Sequence, residues 1–394
     1  MELQNKKEIS GKVSKIGFIL LIIGAVLVGA SFMANKERAF FDYLIMYMFI
    51  ISIALGSLGL VALEYLVGAN WSTPFRRISE FLSSIIPLLI LLVIPIILGM
   101  HDLYHWTHKE AVETDAILKG KEPYLNTQFF YIRLGIYFVV WFLFFIGFIK
   151  NSTNQDKDGN VIYTKRNTTL STIFAPVFMI TLTFCAIDLM MSLEPHWYST
   201  IYGVYYFAGT IVAGFASLTL ISVLLKQNGY LDPRIGNDHF YSMGTMMFGF
   251  NIFWAYIAFS QLVLQWYADI PEETFWYMMR WEGSWKYVSI GLLFFHFVLP
   301  FLILLPRSVK TNLNRLKVMS IWLLVAHYLD LYWLIMPTYT HKAGLHGPVF
   351  GWNELGFPLV IIGLFMIIFR RRSMKNNLMP VKDPKLEAGL NFHL

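Results

Sequence analysis

A histidine stands three residues before an aspartate in the run Ala326-His327-Tyr328-Leu329-Asp330. On a helix that spacing puts both side chains on one face, one turn apart. Neutral imidazole accepts a proton on one nitrogen and donates from the other, so a histidine near a carboxylate can pass protons. His296 falls near the middle of the preceding apolar run. His296, His327 and Asp330 could thus form a proton relay. They could equally be packing contacts, worth about 0.6 kcal/mol per interhelical hydrogen bond. A third reading has the two histidines as axial haem ligands.

Two more groups could do chemistry. Arg133 and Asp188 each lie about four residues inside the same end of neighbouring apolar runs, which at 1.5 Å per residue puts them at one depth. They are expected to pair, either as a static bridge pinning two helices or as an acid tuned by a guanidinium. Glu64 closes another run beside Tyr65 and is either a cytoplasmic entry point for protons or a snorkelled, solvated carboxylate. In His101-Asp102-Leu103-Tyr104-His105-Trp106, the two histidines are one turn apart. His101, Asp102 and His105 could touch a quinone headgroup, hold a metal, or be ordinary interfacial residues. Gln261 and Gln265, with Asn251, could glue helices or line a wet path.

The elements that hold these residues follow from composition. Of 394 residues, 56% are hydrophobic, 17% aromatic and only 14% charged, where a soluble domain carries about 25% charged. That excludes a disordered, fibrous or coiled-coil chain and argues strongly against a soluble enzyme. The single cysteine, Cys185, cannot close an internal disulfide, and no C-x-x-C-H haem attachment sequence occurs. Any redox role needs a diffusible cofactor or centres on partner chains.

About 20 apolar residues cross a bilayer as helix. Ten runs qualify: 16–33, 41–67, 78–100, 129–148, 170–192, 201–225, 240–267, 285–305, 316–336 and 352–369. With the N-terminus inside, alternate loops hold 22 Lys and Arg on the cytoplasmic side, Lys6 and Lys7 among them. Eight lie on the other side, and Arg133 sits within a span. That asymmetry predicts ten spans with both termini cytoplasmic. The net charge of +6 is then a topology signal and not a nucleic-acid footprint. The polar tail 373–394 is expected to be flexible or docked on a partner.

Spans two to five can be laid on spans six to nine. Ser57-Leu58-Gly59-Leu60 matches Ser217-Leu218-Thr219-Leu220, and Tyr131 with Gly135 matches Tyr287 with Gly291. Asp188 precedes Pro195 by seven residues, as Asp330 precedes Pro337. This predicts an all-α membrane protein of two parallel four-helix bundles, 41–192 and 201–336, with the first and tenth helices outside them. Ser289 then stands near the place of Arg133, and Lys286 is the nearest base.

With these features the chain resembles the polysulfide-reductase membrane-subunit (NrfD-like) superfamily. More narrowly it resembles the second, smaller membrane subunit of alternative complex III. The resemblance covers nearly the whole chain. It rests on topology, the His101–Trp106 run, Asp188-Leu189 with Glu194-Pro195-His196-Trp197-Tyr198, and the Ala326–Asp330 run. It implies a multi-pass subunit in a bacterial cytoplasmic membrane, within a complex that oxidises menaquinol or ubiquinol. It also implies haem and iron–sulfur centres on partners only: a multihaem cytochrome c, an iron–sulfur subunit and a sister NrfD-like subunit. This chain would move protons or scaffold the complex, and could contact quinol. Two other classes remain, a secondary transporter and a purely structural anchor. Against the transporter, Pro87, Pro95, Pro176, Pro300 and Pro358 do not match between repeats.

Overall fold

The computed structural model describes residues 8–394, so Lys6 and Lys7 lie outside the described residues. Among these, every regular element is helical. Ten helices are long and apolar enough to cross a membrane. They are α1 (Gly11–Ala34), α2 (Lys36–Val67), α3 (Thr73–Leu98), α4 (Thr127–Asp158) and α5 (Ile162–Leu193). α6 (Tyr202–Gln227), α7 (Asn237–Ala268), α8 (Trp285–Leu304), α9 (Leu313–Lys342) and α10 (Trp352–Lys375) complete the set. This is a multi-pass helical membrane protein.

α2 is the centre. It starts on Asn35, whose side chain accepts the backbone N–H of Arg38, and stops at Gly68 in the left-handed conformation. It is apolar on all sides, and its most apolar 18-residue window is entirely buried. α2 packs on α6, α5 and α9, and α6 packs on α9, α7 and α5. α4 lies against α5, and α1 lies chiefly against α10. Lipid offers no hydrophobic force between helices, so close approach must come from small residues. At the α2–α6 crossing a Cβ on Gly56 would meet the Thr210 carbonyl at 2.4 Å, and one on Gly214 would meet Gly56. Gly17 and Gly24 meet Gly363 and Gly356 in the same manner between α1 and α10.

Two helices are irregular for covalent reasons. α3 breaks into short segments around Pro87 and Pro95, which lack the N–H that continues the ladder. α8 contains a π-helical turn, Leu293–Val298, just before Pro300. Pro300 has no N–H to give the carbonyls of Phe295 and His296. Trp322 Nε1 donates to the first at 2.7 Å and Asn251 Nδ2 to the second at 2.9 Å.

The structure corrects two expectations at the basic end of the bundle. Arg76 and Arg77 are not loop residues but buried side chains in the first turn of α3. Arg76 bonds Glu64 at 3.1 Å and also pairs with Asp383. Arg77 reaches Glu80 and Asp156, each at 2.7 Å. The tail, in turn, is docked on its own chain. Asp383 is buried on Arg76, Glu387 bonds Arg234 at 2.8 Å, and the Gly389 carbonyl lies 2.7 Å from His239 Nε2.

The crossing predicts a graded response. Gly56→Leu should destabilise by about 1–3 kcal/mol through overpacking. Gly29→Ala, where a Cβ meets nothing within 4 Å, should stay within about 0.5 kcal/mol. Thermal unfolding of the detergent-solubilised protein measures both; equal effects would refute the assignment of Gly56 to a contact of backbones.

Candidate functional site

Of several buried carboxylates, one on α5 and one on α9 make the fullest contrast. The first is Asp188 on α5. Arg133 on α4 donates to it through Nε at 2.8 Å and Nη2 at 2.9 Å. Tyr124 and Tyr137 hydroxyls donate at 2.9 and 2.7 Å. The guanidinium also stacks on Tyr124 at 3.9 Å and donates from Nη1 to the Tyr124 carbonyl. The pair that equal depth requires is therefore formed, with charge-assisted, bidentate geometry. Every oxygen of Asp188 is occupied, so this is a closed structural knot.

The second carboxylate, Asp330 on α9, has no arginine. Its Oδ1 accepts from the Tyr205 hydroxyl at 2.5 Å, and Oδ2 from Trp254 Nε1 at 3.1 Å. The Trp254 ring stacks on the His296 imidazole, with centroids 3.6 Å apart. His327 Nε2 lies 3.0 Å from Ser52 Oγ of α2, and Ser52 lies 3.2 Å from the Tyr206 hydroxyl. His327 fits because position 209 is glycine: a Cβ there would come within 2.6 Å of the ring.

The three residues expected to form a chain do gather here, but not by direct hydrogen bonds. Trp254 stands between His296 and Asp330, and His327 turns toward α2 instead of toward Asp330 on its own helix. Packing chose those rotamers, which the i to i+3 spacing could not. The missed members are Tyr205, Trp254 and Ser52, aromatics and a serine that sequence alone gives no reason to separate from ordinary packing. His296 is also the centre of the π-helical turn, a feature often found at functional sites.

The surroundings of the second carboxylate differ from those of the first. Both ring nitrogens of His296, Nδ1 of His327, and the side-chain oxygens of Asn251, Gln261 and Gln265 are buried without a hydrogen-bond partner. Leaving such a group unpaired costs about 1–3 kcal/mol. Asp188 and its donors Arg133, Tyr124 and Tyr137 carry no such deficit.

The remaining residues fall elsewhere. Glu64 is not snorkelled or solvated: it is buried, holding Arg76 and accepting from Thr73 Oγ1 at 3.0 Å. His101 and His105 both lie beside His108, with ring centroids 4.7 and 6.0 Å from it. Asp102 pairs with Lys36 at 3.0 Å, while the exposed His101 packs edge-on against His108 at 4.7 Å. Partial burial, aided by the charges of His108 and His196, pushes His105 below the ordinary imidazole value. Among the described residues, no three His, Cys, Asp or Glu side chains are grouped to hold a metal ion. At the start of α8, Lys286 is exposed. Arg280, between α7 and α8, is buried, donating to the carbonyls of Trp276, Trp333 and Leu334 at 2.7–3.1 Å and stacking on Trp276 at 3.3 Å. Burial pushes its guanidinium down to about 9, so it stays charged at neutral pH.

Fold and site together define a multi-pass helical membrane protein with ionisable groups sealed in its interior. Comparison with protein-family models and with curated proteins finds no match for the chain.

The knot can be tested as a unit. Asp188→Asn leaves a buried guanidinium uncompensated and should cost about 3–5 kcal/mol. Adding Arg133→Met to Asp188→Leu should recover most of that loss in thermal unfolding. A double variant no more stable than Asp188→Asn would show that the charge pair itself is required.

Proposed function

We propose that this chain is an integral subunit of a membrane respiratory complex that oxidises quinol, and that its share is proton transfer through the second bundle. The NrfD-like resemblance supplies the setting: an alternative-complex-III assembly in a bacterial cytoplasmic membrane, both termini cytoplasmic. Haem and iron–sulfur centres would belong to partner subunits. One observation carries the reading. Among the described residues Asp330 is a buried acid held only by neutral donors, and His296 and His327, which gather near it, keep ring nitrogens without a hydrogen-bond partner. A charge fixed for structure is paired, as Asp188 is; a group that must gain and lose a proton cannot be held by an arginine.

In this reading Asp330 is the carrier. Tyr205 and Trp254 both donate to it. His327 reaches α2 through Ser52, while the His296 ring stacks on Trp254 of α7 and its carbonyl accepts from Asn251. Glu64 is committed to Arg76 and Thr73, so any proton entering at that end must first loosen the Arg76 cluster.

The test uses the assembled complex in proteoliposomes. Asp330→Asn should lower quinol-coupled proton movement at least tenfold while haem and iron–sulfur partners still co-purify. Unchanged proton movement would eliminate the relay, and isolation without redox partners would eliminate the respiratory setting.

A further inference from the structure

At the end of the bundle opposite the Arg76 cluster, α2 opens with Lys36, Glu37, Arg38 and Asp42. The first three have partners. Lys36 pairs with Asp102 at 3.0 Å, Glu37 with Lys342 at 2.6 Å, and Arg38 with Glu354. Asp42 is left over. The bases Lys36, Arg38 and Lys342 thus face one acid too many, and that acid lies deepest. The Asp42 side chain is 2% exposed, against 12% for Arg38 and 14% for Glu354.

Asp42 also carries a hydrogen-bond deficit. Its Oδ2 is buried without a partner, and so is Nε of Arg38, 3.8 Å away and too far for a hydrogen bond. Arg38 spends Nη2 on Glu354 and on the Val349 carbonyl at 3.0 Å. Glu354 is fully engaged, since Oε1 takes Arg38 and Oε2 accepts the Gly351 N–H at 2.7 Å. Hydrogen bonds to a carboxylate favour its charge, and two carboxylates sharing one buried cation are not both ionised without a large cost. Glu354 therefore keeps the charge and Asp42 keeps a proton. From α9, Tyr328 and Tyr332 lie within reach of the Asp42 charge, but phenols supply no positive charge. Tyr332 is in any case committed to the Val349 carbonyl at 2.8 Å.

We propose that Asp42, Arg38 and Glu354 form an exchangeable one-proton site. Asp42 holds the proton as a carboxylic acid. When the proton leaves to solvent, past the partly exposed Arg38 and Glu354, the Asp42 carboxylate takes up the free Nε. Reprotonation restores the first arrangement. The site stands on charge balance and requires nothing of quinol oxidation. Its use as the outer port of the proton path rests on the proton-transfer reading. Asp42 precedes Ser52 on α2 by roughly 15 Å of helix, and Tyr328 directly follows His327.

Infrared difference spectroscopy of the purified full-length protein, exchanged between light and heavy water, tests the site. Protonated carboxyl groups absorb apart from carboxylates and shift on deuteration. Asp42→Asn should remove one carboxyl's worth of that exchangeable band. Glu354→Gln should remove as much, because a single acid then pairs with Arg38, and Asp42→Glu should keep it. Glu354 is the less buried of the two acids and decides the matter if Asp42→Asn does not fold. An unchanged band in whichever of the two neutral variants folds would overturn the proposal. The port is tested in proteoliposomes carrying the assembled complex. Asp42→Asn should slow proton movement at least tenfold, with Asp42→Glu recovering it. Should Asp330→Asn stop movement while Asp42→Asn leaves it intact, the port falls and the relay stands. Should neither slow it, the relay falls and the infrared band alone judges the site.

Discussion

The close crossing of α2 and α6 governs the interior. Gly56 and Gly214 let two backbones touch, and a Cβ at either position would collide with the partner helix. Because the helices are that near, Tyr206 of α6 reaches the Met48 carbonyl of α2 at 2.7 Å. Ser52 then meets both Tyr206 and His327. Gly209 clears the space that His327 enters. In hydrocarbon, helix association depends on such packing and on polar contacts between helices, not on expelling water. One contact surface therefore supplies stability and delivers three helices' polar groups to one place.

Asp188 and Asp330 show the same residue type in two different settings. Asp188 is surrounded by a bidentate guanidinium and two phenols, which fixes its charge and ties α4 to α5. Asp330 receives only neutral donors, and its neighbours retain unused hydrogen-bonding capacity. Arg280, buried between α7 and α8, is spent on backbone carbonyls and a tryptophan face instead of on the acid. This asymmetry separates a carboxylate tied into an ion pair from one that neutral donors alone hold.

Much of this was legible in the chain. Length of apolar runs gives ten helices because a bilayer needs a fixed span, and the structure's boundaries differ mainly where helices extend beyond hydrocarbon, as α4 does through the polar run 150–158. The Arg133–Asp188 pair follows from depth alone. Arg76 and Arg77 were misplaced because a run of polar residues reads as a loop, whereas here Glu64, Glu80, Asp156 and Asp383 neutralise them. Three of those acids lie outside the arginines' own helix, brought from α2, α4 and the tail, and local pattern carries no record of such meetings. The docked tail escaped notice for the same reason.

The sequence by itself determined the class of protein, the number of spans, which residues lie at membrane depth, and that Asp188 has a base at its level while Asp330 does not. These are one-dimensional properties, set by the transfer energy of side chains and the rise of a helix. Only the tertiary structure decided partners. His327 turns to Ser52, His296 stacks under Trp254, and Asp330 takes Tyr205. Rotamer choice depends on the neighbouring helices, and those neighbours are chosen by glycine contacts between residues far apart in the chain.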